Sequence, residues 1–335
     1  MTVIWKSDEI KKIVDYENSL LFTKTALKKY DEKYILEIIR SIYDKKNVAA
    51  VKVIAINDQH IIAHIDLINH SKEVLKFFLD ENGAKKIEKI INTLSFIKDS
   101  LIRCPEKATP LRSKIAPAIK YERSEDLSLA QFIMRFSDKR EILSKVAKDL
   151  AQQLMAIHSH SFAESGPLDE NLTVFKKTNT ISPIQYIEFC LKRGHTGKWL
   201  GENYRDKLWN YVSRPEVQEV MSFIHKSPSL IHGNLRFSNI FVNHKIFCIE
   251  SIEEWENVSS GSPLLDICQL FRFDTPPIFK DAFFQHYENE KTITFFERDS
   301  WEDDLKILDL INYCAILNTK VKKEIYITHL KKLIR

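Results

Sequence analysis

The stretch LIHGNLRFSNIFVNHKIFCIE, Leu230 to Glu250, gathers the residues with the clearest chemical potential in this 335-residue chain. His232 and Gly233 precede an amide, Asn234. A second amide, Asn239, stands five residues on, and carboxylates follow the next apolar run at Glu250 and Glu253. Such a loop has the shape of a phosphoryl-transfer centre, where a protein mainly positions phosphates and neutralises charge. Asn239 offers a neutral oxygen to Mg2+, a hard ion that prefers oxygen ligands, and a carboxylate after the next strand would be its second ligand. Asn234 stands where this chemistry normally wants a carboxylate, and an amide is not a base in the physiological range.

Those residues need a scaffold, and the chain is long enough for two lobes that each bury a core. Apolar content of 44% and charged content of 29% are ordinary for a soluble globular protein. The net charge of +4 is small and the basic residues are spread out, so neither a nucleic-acid nor an anionic-membrane surface is indicated. Five widely spaced cysteines form no C-x-x-C pair, which argues against a zinc site or a disulfide framework. No segment reaches the roughly 20 apolar residues of a membrane span, and the N-terminus MTVIWKSDEIKK has no signal-like apolar core. A cytoplasmic location is expected. The chain has only seven glycines and no glycine-rich phosphate cradle, so nucleotide binding would have to be built another way.

The first forty-odd residues read as helices, with EKYILEIIRSIYDKK apolar at helical spacing. VAAVKVIAI, HIIAHIDLI and EVLKFFLD read as three antiparallel strands, divided by the turn signals NDQ and HSK. An amphipathic helix follows, GAKKIEKIINTLSFIKDSL, then two further strand candidates, KIAPAIKYE and LAQFIMRF. A long helix, REILSKVAKDLAQQLMAIHSHS, opens a mostly helical remainder. The expected fold class is α+β: an N-terminal lobe of helices and antiparallel sheet over residues 1–136, and a helical C-terminal lobe over 137–335.

His232-Gly233-Asn234-Leu235 followed by Asn239-Ile240-Phe241-Val242 resembles the H-G-D-L-x-x-x-N-I-x-V loop of the aminoglycoside phosphotransferase and choline kinase families, small-molecule kinases with a protein-kinase-like fold. Four other pieces fall in the family's order. VLKFF resembles the strand carrying the phosphate lysine, Lys76, and KKIEKI the helix carrying its ion-pair partner, Glu88. LAQQLMAIHS is similar to the helix ending at His158, and GSPLLDICQL to the segment giving Asp266. The resemblance covers roughly residues 45 to 275.

It implies a two-lobed kinase-like fold, ATP and Mg2+ bound between the lobes, and phosphorylation of a hydroxyl on a small molecule. Catalytic residues would be Asn234, Lys76 and Glu88. Lys76 would also bind the nucleotide, with backbone groups around Met134 and Phe136 on a hinge strand facing the adenine. The metal would be held by Asn239 and by Glu250 or Glu253. Glu250 fits one form of the family's acidic segment, and Glu253 fits the form Ile-Asp-Trp-Glu. Asp266 and the two histidines read as structural. The run Glu253, Glu254, Glu256 would form an acidic rim that attracts a cationic acceptor. No nucleic-acid or membrane partner is implied. With Asn234 and a glutamate at the two acidic positions, the rival reading is a catalytically inactive module of the same fold, a nucleotide sensor or protein-interaction scaffold.

Overall fold

The structure is a computed structural model that describes residues 11, 12, 15, 26, 29–43, 47–98, 101–124, 126–175, 182–225, 228–319 and 322–334. Most of the helical segments expected before residue 29 lie outside those residues. In chain order the first elements are α1 (Glu32–Ile42), β1 (Val48–Ile56), β2 (His60–Leu67), β3 (Lys72–Phe78), α2 (Gly83–Ile97), β4 (Thr109–Leu111), β5 (Ala118–Glu122) and β6 (Leu127–Ser128). Then come α3 (Leu129–Arg135), α4 (Arg140–Ser159), β7 (Gly166–Pro167), α5 (Pro183–Lys192), α6 (His195–Leu200), α7 (Glu202–Val212) and α8 (Pro215–Ser222). The chain closes with β8 (Ser229–Ile231), β9 (Ile240–Asn243), β10 (Cys248–Ile252), β11 (Ser259–Gly261), α9 (Leu264–Leu270), α10 (Pro277–His286), α11 (Ile293–Phe296), α12 (Trp301–Leu317) and α13 (Glu324–Leu333). Among the described residues no helix is long and apolar enough to cross a membrane.

The chain forms two compact units that are not consecutive in sequence. The first comprises Met1–Leu150, Asp169–Thr173 and Phe237–Glu256, and the second Ala151–Leu168, Val174–Arg236 and Asn257–Arg335. In the first unit the strand order is β1-β2-β3-β5-β4, antiparallel throughout. The two-residue periodicity of strands decides what each face carries. Leu75 and Phe77 of β3 join Ile61, Ala63 and Ile65 of β2 in a core closed by Ile35 and Ile39 of α1. The alternate residue, Lys76, therefore projects from the opposite face, where it pairs across the sheet with Ile119 of β5. A second small sheet, β10-β9-β6, belongs to the same unit, and β7-β11-β8 belongs to the second.

One expected strand is a helix. The short, bulky apolar run LAQFIMRF suggests β-structure, but Ser128 caps α3, accepting from the Gln131 backbone while the Gln131 side chain accepts from the Ser128 N–H. This reciprocal capping box, with Leu129, Ala130, Phe132 and Ile133 buried on one helical face, sets the local structure. β4, a short edge strand, has no counterpart among the expected strands.

His64 on β2 supplies a pH test of this sheet. Burial, reinforced by the Arg123 guanidinium and opposed by Asp66, pushes its ring down to about 4. An imidazole kept neutral in the fold but titrating near 6.5 when unfolded contributes stability that is whole above pH 6.5 and is lost as pH falls towards 4. Because the ring is partly solvated, the loss is expected to be about 1–2 kcal/mol. Urea denaturation of wild type and His64→Gln at pH 7 and pH 4 should show that the substitution removes this part of the pH dependence.

Candidate functional site

Lys76 is 2% exposed, and its ammonium meets carboxylates rather than solvent. Nζ donates to both Glu254 oxygens at 2.7 and 2.8 Å and to Glu256 Oε1 at 2.8 Å. The Phe78 ring centroid lies 5.1 Å from Nζ. Burial works against the charged form, but Glu254 and Glu256 outweigh it and hold the lysine above its ordinary pKa. The expected partner, Glu88, is exposed. Helix α2 buries Gly83, Ile87, Ile90, Leu94 and Ile97, and Glu88 falls off that stripe. What α2 offers towards Lys76 is Ile90 and Leu94, which line a cavity of about 20 Å3 together with Tyr121, Glu254 and Glu256.

The acidic segment is pinned by its backbone. Ile252 N donates to Arg103 O, Glu253 N donates to Asn239 O at 2.8 Å, and the buried Trp255 donates its indole N–H to Ile252 O. Glu254 adopts φ +71°, a left-handed conformation uncommon outside glycine. The buried face of the turn thus belongs to Trp255, and the glutamates on either side of it go to Lys76. Asn239, 6% exposed, is tied to this segment through its carbonyl. Glu253 is buried and 3.4 Å from the Tyr121 hydroxyl, which donates to it. Burial and the neighbouring Glu254 push Glu253 up to about 8, so near neutral pH it holds its proton.

The carboxylates expected to ligate metal or ring the acceptor are therefore redistributed. Glu250 is exposed on β10 and accepts from the Asn243 amide. Glu253, Glu254 and Glu256 make no solvated acidic rim: Glu253 is 8% exposed, and the Glu254 and Glu256 side chains are 19% and 10% exposed. Aligning the motif Ile-Asp-Trp-Glu on its isoleucine selects Glu253 and passes over Glu254. Aligned on its tryptophan, Glu254-Trp255-Glu256 matches it, and that tryptophan is the available signal. Met134 and Phe136 present no strand edge either. Phe136 N donates to Phe132 O, and Phe136 O accepts from Lys139 N.

A second cluster is built within the other unit around Asp266, which is fully buried on α9. Its Oδ2 accepts from His232 N at 2.7 Å and its Oδ1 from Gly233 N at 2.9 Å. His158 Nε2 lies 3.2 Å from Oδ2, and His158 Nδ1 lies 2.7 Å from the Tyr287 hydroxyl. Burial would raise the Asp266 pKa, but His158 and the His232 backbone hold it below the usual carboxylate value. A structural role was expected of Asp266, with helix capping as one form of it. Its carboxylate instead braces the His-Gly-Asn loop. Gly233 has φ +74°, and a Cβ there would stand 2.3 Å from Asn257 O, so the turn requires glycine. Asn234 follows, half-buried, its N–H donating to His232 Nδ1.

Searches by sequence return no matching family profile and no matching curated protein. Solved structures do match. The GDP complex of wild-type aminoglycoside 2'-phosphotransferase-IIIa has a TM-score of 0.62 at 14% identity, covering 91% of this chain and 97% of that one. The chain has the fold of the aminoglycoside phosphotransferases. ADP-bound APH(2'')-Ib matches this phosphotransferase fold at TM-score 0.56 and 12% identity, over 91% of this chain and 97% of that one. Amicoumacin kinase hAmiN in complex with AMP-PNP, Ca2+ and Ami matches at TM-score 0.56 and 12% identity, over 93% and 96%. The kinase-like fold expected from the loop, with an antiparallel-sheet N-terminal lobe and a mostly helical C-terminal region, is what the structure contains.

Among the described residues no three or more His, Cys, Asp or Glu side chains converge to hold a metal ion. The donor set of Asn239 and Glu254 nevertheless fits Mg2+, which takes one or two protein oxygens and completes its shell with phosphate and water. Within the phosphotransferase fold, Asp266 gives the most direct structural test. Asp266→Ala would strand the buried His232 N–H, the half-buried Gly233 N–H and His158, and a loss of about 3 kcal/mol or more is expected in urea denaturation. A change below about 0.5 kcal/mol would show that the carboxylate does not brace the loop.

Proposed function

We propose that the chain binds a nucleoside triphosphate with a divalent cation and transfers a phosphoryl group, slowly, to a hydroxyl of a small molecule. The observation that carries this reading is the buried ammonium of Lys76, held by Glu254 on the same pinned segment that ties to Asn239. Such a group suits phosphate charge. The nucleotide complexes of amicoumacin kinase and the aminoglycoside phosphotransferases support it through the shared fold. Lys76 would meet the phosphates, and Asn239 with Glu254 would hold the cation, which when bound neutralises phosphate charge. Glu253 is a poorer candidate because its carboxylate is buried and accepts from the Tyr121 hydroxyl. With Met134 and Phe136 committed to α3 and its end, Arg123 and Ser124, which follow β5 outside any helix or strand, are the candidates for contact with the base. The acceptor is a small molecule with a hydroxyl. A cationic one is not favoured, because Glu254 and Glu256 face Lys76 and Glu253 is buried against Tyr121.

Asn234 would orient an acceptor hydroxyl without taking its proton. General-base help is typically worth about 10²–10⁴ in rate, and a loose transition state needs little of it. Asn234 and the full engagement of Lys76 by carboxylates also support a second reading, a non-catalytic nucleotide-binding module with a protein partner.

Two outcomes test the proposal. Nucleotide with Mg2+ at about 10–100 times Kd should stabilise wild type by ~1.4–2.7 kcal/mol in thermal denaturation, and Lys76→Ala should lose the effect. No stabilisation at millimolar nucleotide would end the nucleotide reading. Asn234→Asp, nearly isosteric, should raise phosphoryl transfer or nucleotide hydrolysis by up to about 10²–10⁴. If every variant binds nucleotide and none transfers phosphate to any acceptor or to water, the non-catalytic module is the correct reading.

A further inference from the structure

The Lys76 ammonium has three N–H donors, and three carboxylate oxygens take them: two from Glu254 and one from Glu256. No donor is left for a phosphate, so a carboxylate must give way before Lys76 can serve a nucleotide. The two glutamates are not equivalent. Glu254 is the more exposed of the pair at 19% against 10%, sits in a left-handed backbone conformation, and follows directly on the residue bonded to the Asn239 carbonyl. Glu256 is the deeper, with Oε1 on Lys76 and Oε2 buried without a hydrogen-bond partner. On the other side of the lysine, α2 contributes Ile90 and Leu94 to the cavity lining.

Resting on the nucleotide-binding reading, we propose that Glu256 is the positioning residue of Lys76. It keeps the ammonium aimed when Glu254 turns to the cation, a task that no carboxylate of α2 performs among the described residues. An ammonium stripped of both partners would have no fixed hydrogen bond to hold it in place. With Glu256 in place, one N–H stays fixed and two become available to phosphate oxygens. Two consequences follow. Nucleotide binding should depend on the divalent cation, because Glu254 would leave Lys76 in order to hold it. A carboxylate delivered from α2 at Ile90, which lines the same cavity, should also substitute for Glu256.

The test is calorimetry on the full chain with ATP and GTP, with and without Mg2+, and with adenosine and guanosine, which have no phosphate for Lys76 to meet. Glu256→Gln should weaken Mg2+-nucleotide binding roughly tenfold or more and leave nucleoside affinity unchanged, and Glu256→Gln with Ile90→Glu should recover most of the loss. Glu256→Asp, which keeps the charge on a shorter arm, should fall between wild type and Glu256→Gln. Nucleoside binding marks variants that are folded, and Glu256→Asp decides the matter if Glu256→Gln is not. Wild-type affinity in Glu256→Gln, or in Glu256→Asp if that variant alone folds, overturns the proposal. So does a variant whose only defect is weaker Mn2+ binding at fixed nucleotide, because Glu256 would then be a metal ligand. If wild type binds neither nucleotide nor nucleoside, the nucleotide reading itself fails and this proposal falls with it. Wild type that binds nucleotide while the variants show no loss removes this proposal alone.

Discussion

A charged lysine inside a protein is tolerated only where opposite charge is fixed beside it, and Lys76 imposes that condition on its whole neighbourhood. Removing an ammonium from water costs several kcal/mol. The first unit offsets this with two carboxylates, Glu254 and Glu256, brought from a distant part of the sequence. They reach the lysine because the segment after β10 is fixed at three backbone or indole hydrogen bonds, to Arg103, Asn239 and Ile252. The sheet contributes the rest: strand alternation sends Leu75 and Phe77 to one core and leaves Lys76, between them in sequence, on the other face. Glu253, adjacent to the pair but not bonded to the lysine, is pushed to hold its proton by burial and by the negative charge already collected there.

The second unit solves a comparable problem with the charges reversed. Around the buried Asp266, backbone N–H groups of the His-Gly-Asn loop and the His158 ring do the stabilising. A carboxylate that accepts several hydrogen bonds stays ionised even when buried. The loop bearing Asn234 is therefore held by an interaction that does not involve the Asn234 side chain. The exchange of an acid for an amide at that position can leave the turn, its glycine and its brace intact.

Much of this could be read from the chain. Strands β1 to β3 are rich in β-branched and aromatic residues with turn residues between them, β2 alternates in burial, and the long helix α4 shows an apolar stripe, so both were legible. The His-Gly-Asn loop and Asp266 were legible because their residue types are specific. What escaped has physical reasons. α3 is seven residues long, too short for periodicity to separate helix from strand, and only its Ser128–Gln131 cap marks it. Sequence order pairs Glu88 with Lys76, but helical phase, set by Ile87, Ile90 and Leu94, turns Glu88 to solvent. The pairing of Glu254 with Lys76 was passed over because it depends on which residue of a degenerate motif anchors the alignment. The buried Trp255 fixes that register, and its match to the tryptophan of the motif is the signal that alignment on the isoleucine passes over.

The most direct measurement is a crystal structure of the chain with Mg2+ and a non-hydrolysable nucleoside triphosphate. The account predicts a phosphate oxygen about 3 Å from Lys76 Nζ, Glu256 still bonded to that nitrogen, and the Glu254 carboxylate turned to the cation with Asn239. A complex in which Lys76 keeps both glutamates while the nucleotide binds elsewhere would contradict it.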